Sequence, residues 1–314
     1  MKTSNTTLID VGRVDTGRPR ERAPKSNLKT DLLKKSALAL QYVSPKTVSG
    51  LVWKEFTRPG RSQYTKPQEV LIGRASIGTL SYKGHDLVTY RWGQHGPRVL
   101  LAHGWNSKIA DFRMLIDRLV DYGYVVEGVD WKAHGQSTGT HTALPEMRDV
   151  LKAYYTLHGP FDAVIGYSIG GLAAGMTLSE MSKELLPRQL FLFAAPPYMR
   201  YFFSDTIEDL GFNQKVYRGM CELVEKHYHE SIDYFDLRNK TDHFDQTELH
   251  LLYDEKDNIV PFERSADMLR TFPHANFVHT KGLGHYKIIA HDETVAYVTR
   301  ALENRRELAA ASVG

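Results

Sequence analysis

The stretch Gly166-Tyr167-Ser168-Ile169-Gly170-Gly171 sets a serine midway between two glycines, each two residues away. An apolar run, Phe161 to Ile165, precedes it, and Leu172 to Leu178 after it has the character of a helix. A strand that turns at once into a helix leaves no room for bulk two residues to either side of the turn. It holds the serine in a strained conformation with its hydroxyl presented outward. In an ordinary loop the same pattern means nothing, so the flanking strand and helix give it weight. Because a serine hydroxyl is a poor nucleophile alone, such a turn calls for a general base, an acid to orient it, and donors for an oxyanion.

Candidates for each part follow other apolar runs. His103-Gly104-Trp105 comes after Arg98 to Ala102, and Asp254 and Asp257 come after Glu248 to Tyr253. His285 sits in Gly282-Leu283-Gly284-His285-Tyr286, after Asn276 to Thr280. In open parallel sheets, ligands bind outside the carboxyl ends of the strands, where loops converge and helix N-termini point inward. Each candidate falls at such an end.

The elements that must carry these residues alternate. Strand-like segments at 98–102, 124–129, 161–165 and 189–193 are separated by helical patterns near 111–122 and 144–157. Connections of that length imply crossovers and a mostly parallel sheet with helices on both faces. Glu69 to Gly93 reads as β structure turning at Lys83-Gly84-His85-Asp86, with Val70, Ile72, Ile77 and Leu80 before the turn. Residues 198–245 break the rhythm and are rich in aromatic side chains, which reads as an inserted, mainly helical cap over the carboxyl edge of the sheet. The alternation resumes with a strand at 248–253, a helix after Pro261, a strand at 276–280 and a last helix from Asp292 to about Glu303.

Five ordered pieces carry a family resemblance: His103-Gly104-Trp105, the run Asp130 to Ser137, the serine turn, the run Asp254 to Pro261, and Gly284-His285. Over about residues 84 to 303 the chain resembles the α/β-hydrolase superfamily, and within it bacterial esterase-type members with a short helical cap. The resemblance implies an α/β-hydrolase fold with Ser168 as nucleophile and His285 as general base. Asp257 takes the place of the acid, four residues before Pro261 in an Asp-x-x-Val-Pro pattern; Asp254, nearer the strand end, is the alternative, and either could be a turn or cap residue. The oxyanion donors become the N–H groups of Trp105 and Ile169, and Trp105, Tyr167 and Tyr198 the substrate contacts. His103 and His134 match turn residues that tie loops beneath the site.

The domain organisation read from the sequence is a basic extension over 1–66, a hydrolase core over 67–197 and 246–305, a cap over 198–245, and a tail over 306–314. Residues 1–66 carry 14 Lys and Arg against 5 Asp and Glu, so the net charge of +3 hides a local basic excess. That extension lacks interleaved stacking aromatics and reads as a solvated arm to about residue 27, with no nucleic-acid partner. The helical spacings at 28–43 and 48–56 are expected to pack on the body. No apolar run approaches the roughly 18 residues needed to cross a bilayer, and no secretory h-region is present. With Cys221 as the sole cysteine there is no internal disulfide, and a cytoplasmic enzyme without stable membrane insertion is expected.

No dinucleotide or phosphate-binding loop occurs, and His227 and His229 lack further ligands at suitable spacing, so neither cofactor nor metal is expected. The expected function is a serine hydrolase, a carboxylesterase acting on small to medium acyl esters. A carbon–carbon bond hydrolase of aromatic degradation, using Arg200 or Arg218, and a non-catalytic ligand-binding member of the fold are the alternatives. Composition leaves the oligomeric state open.

Overall fold

The computed structural model of the protein describes residues 5–12 and 35–311. Among them nine strands make one sheet: β1 (Thr6–Asp10), β2 (Ser76–Tyr82), β3 (His85–Trp92), β4 (Arg98–Ala102), β5 (Val125–Val129), β6 (Ala163–Tyr167), β7 (Gln189–Phe193), β8 (Glu248–Asp254) and β9 (Asn276–Lys281). Their order across the sheet is β1-β9-β8-β7-β6-β4-β5-β3-β2. Only the β2–β3 and β3–β5 pairs are antiparallel. The four strands β4 to β7 are mostly apolar, as strands buried on both faces tend to be; in β5 the buried Glu127 is paired with Arg91 and Arg98. Val99, Leu100 and Leu101, with Val164 and Ile165 beside them, have no exposed surface. Each such side chain contributes about 1.5–3 kcal/mol on burial.

Helices cover the sheet. Arg113–Asp121 packs against the long carboxyl-terminal helix Asp292–Ala311, and Leu144–His158 packs against Ile169–Leu178. Since β4 lies between β5 and β6, the chain leaves β4 toward one side and later returns on the other. Such a reversal of strand order marks the carboxyl end of β4 as the place where sheets of this kind bind ligands.

Three sequence expectations change here. The amino terminus is not simply an arm: Thr6–Asp10 pairs in parallel with β9, from Thr6 opposite Phe277 to Asp10 opposite Lys281. Residues 13–27 of the expected arm, and Leu28, Leu32 and Leu33, lie outside the described residues. Val70 and Ile72, read as β, belong to the helix Lys66–Gly73. Pro67 presets its first turn, and Gln68 Oε1 accepts the N–H of Thr65 at 3.0 Å, so local capping overrides the apolar spacing. The last helix continues to Ala311 through Ala, Leu, Glu and Arg, all strong helix formers, where a tail from 306 was expected.

The chain divides into two compact units. One contains the sheet and comprises Met1–Thr16, Pro59–Pro197 and Leu237–Gly314; the other comprises Gly17–Arg58 and Tyr198–Asp236. In the second unit the helix Pro45–Phe56 packs against Gln214–Tyr228. Ser49 Oγ donates to the carbonyl of Val216 at 3.1 Å. Gly219 allows this approach, because a Cβ there would lie 2.2 Å from Ser49 Oγ. Gln41 Oε1 accepts the N–H of Asn213 at 2.7 Å, and Phe56 meets Phe203 edge-on with ring centroids 4.9 Å apart. Of the residues 198–245 expected to form one insertion, 198–236 belong to this second unit and 237–245 to the unit that contains the sheet. Among the described residues no helix is long and apolar enough to cross a membrane.

Candidate active site

Ser168 stands between β6 and the helix Ile169–Leu178 with φ 54° and ψ −132°. A side-chain-bearing residue rarely adopts this left-handed φ, and tight packing of the turn enforces it. A Cβ at Gly166 would lie 2.5 Å from the Cα of Gly171, and one at Gly170 would lie 2.2 Å from the carbonyl oxygen of His103. The two glycines therefore let strand, helix and the loop after β4 converge.

His285 joins the serine to an acid. Its Nε2 lies 3.0 Å from Ser168 Oγ, and its Nδ1 lies 2.7 Å from Asp257 Oδ2. The carboxylate beside Nδ1 holds the proton there, leaving Nε2 as acceptor for the serine hydroxyl. All three side chains are buried. The other oxygen of Asp257 accepts the N–H groups of Ile259 and Val260, both at 2.8 Å, which fixes the carboxylate.

Asp254, the alternative acid in the sequence, has another place. Its fully buried carboxylate accepts the N–H of Leu283 at 2.9 Å and of Gly284 at 2.8 Å, the hydroxyl of Thr280 at 2.7 Å and the N–H of Lys256 at 2.9 Å. It therefore ties the turn bearing Asp257 to the loop bearing His285. The spacing of the motif placed Asp254 near the site, but nothing in sequence revealed that residues 280–284 fold back onto it.

The loop after β4 approaches the serine from the opposite side. A Cβ at Gly104 would lie 3.0 Å from that of Ser168, so glycine is what permits this distance. Among the described residues, the N–H groups of Trp105 and Ile169 find no hydrogen-bond acceptor in the protein. Ile169 opens a helix, whose partial positive charge lies at that end.

Two histidines hold this loop. His134 Nε2 accepts the N–H of Asn106 at 3.2 Å and its Nδ1 is 3.1 Å from the carbonyl of Lys132. His103 Nε2 accepts the N–H of Trp131 at 3.1 Å, with Nδ1 2.9 Å from the carbonyl of Gly104. Both rings are therefore neutral, protonated at Nδ1. Burial lowers His103 to about 4 and His134 to about 3, the latter also pressed down by the adjacent His103. The turn roles expected for both residues agree with these bonds. Beneath them Asp130 is fully buried, accepting from Ile109 N–H at 2.9 Å, Gln136 N–H at 3.0 Å and Tyr90 at 2.9 Å; desolvation raises its pKa. Arg61 adds a clamp that sequence did not suggest, donating to the carbonyls of Gly135, Ser137 and Gly139.

Of the expected substrate contacts, Trp105 is half-buried, edge-on to His134 with centroids 5.2 Å apart. Tyr167 is buried and its ring lies 5.1 Å from that of His285, so it backs the imidazole and presents little surface to a ligand. Tyr198 belongs to the second unit, in an isolated β-bridge with Asp236. Arg200, weighed as an anion-holding cation, is paired with Asp233 and donates to Tyr217 at 2.9 Å. Among the described residues no group of three or more His, Cys, Asp or Glu is arranged to hold a metal ion.

The family model described as "Alpha/beta hydrolase family" matches residues 99–298. No curated protein matches the sequence. Solved structures share the fold at low identity. A membrane phospholipase A described as a bacterial virulence factor is 14% identical with a TM-score of 0.58, covering 89% of this chain and 98% of its own. An esterase of Pyrococcus furiosus is 20% identical with a TM-score of 0.57, covering 79% and 96%. An esterase of Exiguobacterium antarcticum is 19% identical with a TM-score of 0.53, covering 70% and 96%.

Proposed function

Because the chain belongs to the alpha/beta hydrolase family, we propose that it is a serine hydrolase, a carboxylesterase cleaving small to medium acyl esters. The observation that carries this reading is His285, within hydrogen-bond reach of Ser168 at 3.0 Å and of Asp257 at 2.7 Å. Esterases among the solved structures of similar fold support it at the level of the chemistry.

In the proposed reaction Ser168 Oγ attacks the ester carbonyl while its proton passes to His285 Nε2. The imidazolium that forms is stabilised by the carboxylate of Asp257, which keeps its charge. The carbonyl oxygen, now an oxyanion, is held by the N–H groups of Trp105 and Ile169, which have no acceptor of their own among the described residues. Collapse returns the proton from Nε2 to the leaving alcohol and leaves an acyl-serine. Water then gives a proton to Nε2 as it attacks the acyl carbon; collapse breaks the bond to Ser168 Oγ, Nε2 returns the proton to that oxygen, and the acid leaves. The reading needs no cofactor.

The test is intact-mass analysis after treatment with a fluorophosphonate, on the wild type and on Ser168→Ala and His285→Ala. One adduct on the wild type, absent from both variants, is the expected result, and a panel of p-nitrophenyl esters then reads acyl length. A folded wild-type protein that takes no adduct and turns over no ester would overturn the proposal in favour of a binding role.

A further inference from the structure

The loop that carries His285 leaves the sheet at the end of β9, and β9 is not an edge strand, because β1 lies outside it. The contact continues past the ladder. Val11 N–H reaches the carbonyl of Lys281 at 3.4 Å, and Gly282, at φ 98°, comes so close to the next residue that a Cβ there would lie 2.6 Å from the carbonyl oxygen of Gly12. Only glycine tolerates both that φ and that approach. Three residues on is His285.

The strand is also anchored by its side chains. On one face of β1, Ile9 is buried in the main hydrophobic cluster and Val11 packs against it; that cluster contains Val278 before the loop, Leu283 within it, and Ile288 and Ile289 just after it. On the other face Leu8 is 57% exposed. Alternation of this kind fixes which face of the strand is docked.

We infer that β1 is a positioning element for the catalytic base: Ile9 and Val11 dock the strand, and its end at Val11-Gly12 braces Lys281-Gly282 so that His285 is held within reach of Ser168. Asp254 grips the same loop from the β8 side, so residues 280–284 are fixed between two supports. Neither Ile9 nor Val11 touches the reacting atoms. The inference rests on the reading of His285 as the base.

The test uses the full chain. Ile9→Ser with Val11→Ser makes the docked face polar, Leu8→Ser alters the exposed face, and Ile9→Val with Val11→Ile conserves the docked face. Three readings are taken: kcat and KM for an ester, hydrogen exchange of the amides from Lys281 to His285, and the downfield proton resonance of the His285 Nδ1–H held by Asp257. Loosening the loop is expected to lower kcat about tenfold to a hundredfold, the scale of a misplaced catalytic group, with KM within about twofold. Exchange should accelerate over Lys281 to His285 and the downfield resonance broaden, while Leu8→Ser and the conservative pair behave as wild type. Faster exchange in β9 with unchanged kcat and an unchanged Nδ1–H resonance would overturn the inference, as would a loss of rate that only tracks the unfolded fraction. Should the double serine variant fail to fold, Val11→Ala is read in the same three ways. Failure of the wild type to turn over any ester counts against the proposed function alone, since exchange and the Nδ1–H resonance still decide whether β1 orders the loop.

Discussion

The N–H of Gly284 donates to Oδ1 of Asp254 at 2.8 Å, one residue before His285, while the neighbouring N–H of Leu283 donates to Oδ2 of the same carboxylate at 2.9 Å. A buried carboxylate that accepts backbone N–H groups makes strong, charge-assisted bonds, and removing its charge weakens them together. Asp254 and Asp257 sit in one turn, yet their carboxylates act on different objects, one on a loop and one on an imidazole.

Asp254→Asn retains the shape but turns one acceptor oxygen into a donor facing an N–H. Stability is expected to fall by about 2–4 kcal/mol, measured by urea unfolding, with kcat reduced by about tenfold. A variant as stable as the wild type would show that the carboxylate does not hold the loop.

Asp257→Asn separates the two roles. It leaves the loop anchored but removes the charge that fixes the tautomer of His285. Ester turnover is expected to drop on the order of 10⁴-fold, with a melting temperature within a few degrees of wild type. Equal rate losses in Asp254→Asn and Asp257→Asn would contradict this assignment.

Acid should destabilise the protein through His103 and His134. In the unfolded chain both rings take up protons as the pH drops below their ordinary value of 6.5, whereas in the fold they stay neutral until about 4 and about 3. Above pH 6.5 neither contributes a pH dependence. Between 6.5 and 4 the unfolded state binds more protons and stability declines, and the His134 contribution continues to about pH 3. The loss is on the order of 3 kcal/mol for His103 and about 5 kcal/mol for His134. Urea unfolding across this range measures it, and His134→Gln, whose Oε1 can take the place of Nε2 as acceptor for the Asn106 N–H without titrating, should shallow the slope.

Gly170→Ala drives a methyl group against the carbonyl oxygens of His103 and Ala102, at 2.2 and 2.5 Å, and both are backbone atoms that cannot swing aside. About 3 kcal/mol or more of stability and most of the fluorophosphonate labelling should be lost. Gly171→Ala meets the Cβ of Ala195 at 2.7 Å and, less closely, the carbonyl oxygen of Gly166 at 3.3 Å, and should be milder in both measurements. The reverse ranking would mean that the turn does not set the approach of the loop after β4.

Much of the sheet was legible because buried parallel strands are written as runs dominated by apolar residues: Gln189 to Phe193 matches its strand to the residue. Ser168, His285 and Asp257, singled out on motif, are brought together by the fold. What escaped was written in weaker or distant signals. Thr6–Asp10 offers one buried residue in five, and its parallel partner lies about 270 residues away, so no local pattern marks it. The helix at Lys66–Gly73 was hidden by Val70 and Ile72, whose spacing of two is that of a strand; in the helix Val70 is exposed and Ile72 buried. The pairing of Pro45–Phe56 with Gln214–Tyr228 depends on a serine meeting a glycine across two helices, which no one-dimensional spacing encodes.

The make-up of the second unit also governs when it can exist. Its two segments are held together by contacts such as Ser49 with Val216, 167 residues apart, and Gln41 with Asn213, 172 apart. During synthesis the helix Pro45–Phe56 leaves the ribosome well before its partner has been translated. At about 5–20 residues per second it waits many seconds with Val48 and Val52, buried in the finished fold, still uncovered. Most of the strands and the serine turn emerge in that interval, so the sheet can begin to assemble before the two-segment unit closes.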